Sequence, residues 1–137
     1  MRVAVVGPEA LAVCRAAGTD AAIFPTLRAA APRDWALLAL TPRAIAERSA
    51  PKARCLLLPG DRGVALARRA AQVVDYGFSP RDTLTLSGAR MLSLQRSVVT
   101  LGGRLVEPQE LPLDAALAAL PDEQAMLAAL LRLLCDA

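Results

Sequence analysis

The chain has 137 residues, 55% hydrophobic, 21% charged and only 3% aromatic, and a chain of this length takes roughly two thirds of its unfolded surface out of water on folding. A disulfide or metal staple is therefore not needed to hold it together. Sixteen Lys and Arg against thirteen Asp and Glu leave a net charge of +3, but the basic residues are scattered arginines plus the single Lys52, and one Trp, one Tyr and two Phe offer no stacking platform, which argues against nucleic acid as a partner.

Arg2 to Gly7 is a short β-branched run ending at Gly7-Pro8, the pattern of a strand covered on both faces. The spacing predicts a helix over Glu9 to Ala17, with Glu9 in the first turn and Gly18 as its stop. Ala21 to Phe24 reads as a second strand before Pro25, and Thr26 to Asp34 as a loop or short helix. Trp35 to Leu40 is apolar without alternation, a central strand. Thr41 as N-cap and Pro42 at the first helical position open a helix over Thr41 to Ser49, closed by Pro51. Arg54 to Leu58 repeats the formula: strand, Pro59-Gly60 turn, Asp61 as N-cap, helix from Arg62 to Ala71. Val73 to Gly77 is another short strand.

After Gly77 the period changes. Thr83, Thr85 and Ser87 alternate with Leu84 and Leu86, and Leu92 and Leu94 alternate with Ser93 and Gln95, so this half reads as antiparallel sheet. Gly102-Gly103 supplies the positive φ values of a hairpin turn between Val98-Val99 and Leu105-Val106. Pro121 suits the first helical position of a final helix, Asp122 and Glu123 sit in its first turn, and Met126, Leu127, Leu130, Leu131 and Leu134 form one apolar stripe. The predicted fold is a single α/β domain over 1–137. A mostly parallel, Rossmann-like sheet with flanking helices occupies 1–78, an antiparallel β-meander 79–113, and a C-terminal helical segment 114–137.

The chain contains no histidine, which removes Ser-His-Asp and Cys-His nucleophile pairs, most catalytic zinc sites and the commonest general base. The first strand-turn-helix reads Gly7-Pro8-Glu9-Ala10-Leu11-Ala12, without G-x-G-x-x-G spacing or a G-K-[ST] ending, and Glu9 there would repel a phosphate. Lys52 precedes a different strand. No cofactor and no metal are expected, and catalysis, if any, would rest on carboxylates or arginine. Cys14, Cys55 and Cys135 are odd in number and lack a C-x-x-C pair, the usage of buried free thiols in a reducing compartment. A strand starting directly after Met1 leaves no room for a signal peptide, and no apolar stretch approaches membrane-helix length. The expected location is cytoplasmic, with no membrane partner.

In a sheet of this kind ligands bind beyond the carboxyl ends of the strands, which makes Gly7, Gly60, Asp61, Ser79 and Arg81 the candidate ligand-binding residues. Each loop has two readings. Asp61 and Arg62 either stand over the strand ends or form an N-capped turn; Ser79 and Arg81 either line a small polar pocket with an anion contact or belong to a Ser-capped turn with Pro80 at its first position.

The run Arg54-Cys55-Leu56-Leu57-Leu58-Pro59-Gly60-Asp61, the predicted helix, and Val73-Val74-Asp75-Tyr76-Gly77-Phe78-Ser79-Pro80-Arg81-Asp82 together resemble the distal half of the central ATPase domain of Mur ligases. In that family a strand ends in an acidic turn, a helix intervenes, a strand ends near Tyr-Gly, and a β-meander leads into a helix; here the meander would be Thr83 to Leu113. The resemblance covers residues 54 to 112. Only the Gly60-Asp61 and Tyr76-Gly77 turns carry over, because the family's phosphate-loop lysine and its histidines have no counterpart. The resemblance thus implies a reduced, catalytically silent relative. Two functions follow: an interaction or assembly module, with a homodimer or another protein as partner and the apolar last helix as a possible seam, or a small-molecule or nucleotide-binding module with its site at the strand ends.

Overall fold

Apolar runs without polar alternation form the middle of the molecule. In the computed structural model, which describes residues 2–30, 33–45, 52–60 and 70–135, β1 (Val3–Val6), β3 (Trp35–Leu40) and β4 (Ala53–Pro59) lie side by side, all parallel. β2 (Ala22–Phe24) pairs with the outer side of β1, and β5 (Ala70–Gly77) with the outer side of β4. The sheet continues through β6 (Leu84–Leu86), β7 (Leu92–Leu94) and β10 (Gln109–Leu111), giving eight strands in the order β10-β7-β6-β5-β4-β3-β1-β2. β8 (Val98–Val99) and β9 (Leu105–Val106) form a separate antiparallel hairpin. The fold is thus α/β, a mostly parallel Rossmann-like sheet with flanking helices.

Strand residues alternate between two cores, as the pleat requires. Leu37, Ala39, Cys55 and Leu57 face α1 (Ala10–Ala17) and α4 (Asp122–Leu134), whereas Leu38, Leu40, Leu56 and Leu58 join Leu27 and Ala30 of α2 (Leu27–Ala30). α1 ends at Gly18 in the left-handed region (φ 67°), and α2 is begun by Thr26, whose Oγ1 accepts from Ala29 N–H. The stripe of α4 is spent on the first core. Met126, Leu127, Leu130, Leu131 and Leu134 are all fully buried, so it is closed to a dimer seam, and truncating any one of these leucines should cost about 2–5 kcal/mol. Before α4, α3 (Ala115–Ala118) is capped by Asp114, whose carboxylate accepts from Leu117 N–H at 3.0 Å.

Two side chains fasten the second half. Arg90, at φ 56° in the β6–β7 turn, donates to Ala118 O and Leu120 O and pairs with Asp122 at 3.0 Å. The Gln72 amide exchanges two hydrogen bonds with the Val99 backbone, at 2.9 and 2.8 Å, and so imitates a strand pairing that joins β5 to the β8–β9 hairpin.

Several expectations are corrected. The segment after Gly77 does not begin antiparallel: β6 pairs parallel with β5 through Tyr76↔Leu84 and Gly77↔Thr85, and the antiparallel pairings start at β7. Parallel neighbours ordinarily need a crossover of a dozen or more residues. Here residues 78–83 suffice because only two residue pairs meet and because Asp75 and Asp82 tie the loop down. Ala70 and Ala71 are strand, not helix, while the rest of the predicted helix, 62–69, lies outside the described residues. Thr41 to Ile45 form a turn rather than the first part of a helix, and 46–49 lie outside the described residues. Pro121 stands at the N-cap of α4, one position earlier than expected. The β8–β9 turn is a longer loop, closed by Thr100 N–H donating to Arg104 O at 2.9 Å, with positive φ at Gly103 alone of the Gly pair.

Candidate functional site

β1 and β3 are neighbours whose following chains diverge, β1 toward β2 and β3 toward β4. Such a switch point is where an open α/β sheet ordinarily takes a ligand. At its floor Gly7 has φ +134°, a conformation that side chains disfavour. A Cβ there would run into the Thr41 hydroxyl and come within 2.9 Å of Thr41 Cβ and 3.1 Å of Ala44 Cβ. The space above is filled by Glu9, 8% exposed and at the N-cap position of α1. Its carboxylate makes no capping bond to its own helix. Instead Thr41 Oγ1, fully buried, donates to Oε1 at 2.5 Å, and Arg43 N–H donates to Oε2 at 3.1 Å. Thr41 is held in turn by its N–H donating to Val6 O at 3.0 Å. A carboxylate out of water needs such charge-assisted bonds to be tolerated.

At the ends of β4 and β5 a second carboxylate plays a similar part. Asp82 is 5% exposed; its Oδ2 accepts from Ser79 N–H at 3.0 Å, and its own N–H donates to Ser79 O at 3.0 Å. Gly60 and Gly77 make room for it. A Cβ on Gly60 would lie 2.7 Å from Asp82 Cγ, and one on Gly77 3.2 Å from the same atom. Arg81 N–H donates to Ser79 Oγ at 3.1 Å, so Ser79 and Pro80 do build the Ser-capped turn. Asp75 Oδ1 accepts from both the N–H and the hydroxyl of Thr83, at 2.6 and 2.7 Å. Between the two ends runs Tyr76, buried, whose hydroxyl donates to Leu40 O at 2.7 Å, one residue before Thr41.

Beside Asp82 the surface stays open. A cleft of about 590 Å³ is lined by Phe78, Arg81, Arg96 and Glu123 among others. Arg96 Nη2 donates to Arg81 O, which fixes one guanidinium at the rim. Phe78 is 59% exposed.

The structure therefore divides the residues expected to form one site. Gly60, Ser79 and Arg81 meet around Asp82, whereas Gly7, at the end of β1, stands two strands from β4, about 10 Å away. Asp61 lies outside the described residues. Glu9 was legible only as a first-turn acid and Thr41 only as a cap; their meeting, 32 residues apart, left no trace in local spacing. For Asp82 a signal exists, since Ser79-Pro80-Arg81-Asp82 has the Ser-x-x-acid spacing that pairs a carboxylate with a backbone N–H three residues earlier.

The thiols offer no alternative chemistry. Burial pushes Cys55 and Cys135 up to about 11 and raises Cys14 as well, which keeps all three protonated at neutral pH, poor nucleophiles and poor ligands. Among the described residues no group of three or more His, Cys, Asp or Glu side chains could hold a metal ion, and no helix is long and apolar enough to cross a membrane. Comparison with protein-family models, with curated proteins and with solved structures found no match.

Proposed function

We propose that the chain is a non-catalytic, Mur-ligase-like α/β module that works by associating with protein, with a second copy of itself as the first candidate partner. One observation carries this reading: the crevice where such a sheet would take its ligand is filled by the chain's own Glu9 carboxylate, buried and bonded through both oxygens. An incoming phosphate would have to displace that carboxylate or share its volume against like charge. The partner surface is not the α4 stripe, which the core already uses.

A thermal-shift screen against nucleotides with magnesium, nucleotide sugars and amino acids, with light scattering on the same sample, tests the reading. The expected result is an unmoved melting midpoint and a scattering mass above that of one chain. A nucleotide that stabilises the protein in proportion to its binding, by about 2.7 kcal/mol at 100 times its dissociation constant, overturns it.

The open cleft beside Asp82 favours a second reading, a small-molecule binding module. Arg81, Arg96 and Glu123 place both signs of charge around Phe78, an arrangement suited to a compact zwitterion. This reading expects a ligand response that Arg81→Ala removes and Glu9→Gln leaves intact.

A further inference from the structure

We propose that the β1/β3 crevice is in its own right a binding site for a small carboxylate, and that Glu9 is its resident ligand, supplied by the same chain. This rests on the closed-crevice reading above and goes further, because it assigns the recognition to the walls rather than to Glu9. Both donors come from the chain leaving β3, and each addresses a different oxygen of one planar group: the Thr41 hydroxyl at 2.5 Å from Oε1 and the Arg43 N–H at 3.1 Å from Oε2. Neither donor belongs to α1, which Glu9 precedes as N-cap, and the Glu9 carboxylate makes no capping bond to that helix. The walls are built for the group: Thr41 is fully buried and anchored to β1 through Val6 O, and Gly7, at φ +134°, withdraws the floor so that the Thr41 hydroxyl has its place.

On this proposal, tethering keeps free anions out. A ligand joined to its site by a short stretch of chain competes at an effective concentration in at least the millimolar range, roughly that of short flexible linkers. Displacing it requires a shift of the start of α1. The Gly7-Pro8-Glu9 turn is in this sense an autoinhibitory plug on an otherwise competent anion site.

Glu9→Ala removes CH2–COO⁻, the atoms of acetate, and acetate is therefore the probe. Melting midpoints are followed in sodium acetate and in sodium chloride of equal ionic strength at pH 7. Glu9→Ala is expected to melt below the native chain and to regain about 4 °C in 100 mM acetate, saturating with an apparent constant on the order of 10 mM. The native chain and Glu9→Gln, whose crevices stay filled, should respond to acetate no more than to chloride. Glu9→Ala/Thr41→Val should lose most of the acetate gain. Inorganic phosphate is run as a third arm: a gain from phosphate but not acetate overturns the assignment to carboxylates. An acetate response in Glu9→Ala no larger than in chloride, or one that survives Thr41→Val, overturns the site itself. If Glu9→Ala is unfolded in chloride, the same titration reads acetate-driven recovery of the far-ultraviolet circular dichroism, and no recovery overturns the proposal. An acetate-blind Glu9→Ala sinks only this site, whereas a nucleotide response in the native chain that survives Arg81→Ala, and so does not come from the open cleft, sinks the closed-crevice reading.

Discussion

The two carboxylates at the carboxyl end of the sheet reach their places by opposite routes. Glu9 is bound by Thr41 and Arg43, 32 and 34 residues away, and its position exists only once β1 and β3 are neighbours. Asp82 counts among its partners Ser79, three residues away, inside one turn. Both sit against glycines, yet the consequences differ: the long-range pair closes its crevice, whereas the local turn leaves a cleft of about 590 Å³ at its side. A filled crevice in one place and an open cleft in another explain why the interaction reading and the ligand reading attach to different parts of one edge.

The largest expected effect breaks the first of these. Gly7→Ala adds a Cβ that meets Thr41 on a backbone at φ +134°, so strain and overlap act together, and equilibrium urea unfolding should show a loss of about 3 kcal/mol or more. The atoms nearest a Cβ in Gly60→Ala are the end of the Asp82 side chain, and a loss of about 1–2 kcal/mol is expected. Because the overlap is with that carboxylate, Gly60→Ala/Asp82→Ala should be less damaging than the sum of its parts by roughly 1 kcal/mol; additive losses would show that the glycine serves something other than room for Asp82. Tyr76→Phe tests the link between the two ends. It removes the hydroxyl bond to the buried Leu40 carbonyl next to Thr41, at a cost of about 1–2 kcal/mol, and in the Glu9→Ala background it should weaken acetate recovery, because Leu40 positions Thr41.

The smallest effect is a control at a carboxylate that is not buried. The backbone N–H of Leu117 and then the Arg132 guanidinium, at 2.6 Å, hold the exposed Asp114 carboxyl below the usual aspartate range. A group whose pKa is lowered by folding contributes stability above its unfolded pKa and loses it as pH falls through the folded value. The acid limb of the stability profile, just below pH 4, should therefore flatten slightly in Asp114→Asn, which lacks that contribution at pH 7 and approaches the native chain as pH falls. An acid limb identical to that of the native chain would remove Asp114 from the account.

Much of the fold was legible in the sequence. Trp35 to Leu40 became β3 residue for residue, Gly18 ended α1, and Met126 to Leu134 packed as one stripe. The candidate site was legible in part: Gly60, Ser79 and Arg81 do gather at one strand end, but around Asp82, which serves the turn and leaves the open cleft to its side. What failed did so for a common reason. The segment after Gly77 looked antiparallel because its residues alternate with period two, but that period is the same for a parallel and an antiparallel partner, and it does not include an Asp75 side chain holding Thr83 at 2.6 and 2.7 Å. Thr41 looked like a cap because Thr-Pro has the local chemistry of one; its hydroxyl donates instead to a carboxylate from another layer of the fold.

By itself the sequence determined most of the strands and the apolar faces of this protein, since runs of branched and apolar residues, their period, and Gly or Pro at their ends act over a few neighbouring residues. Only the tertiary structure decided that β6 joins the sheet in parallel and that Glu9 meets Thr41 across the switch point. Those depend on strand order, and strand order is set by how two cores are covered at once, an energy spread over the whole chain rather than held in any one segment.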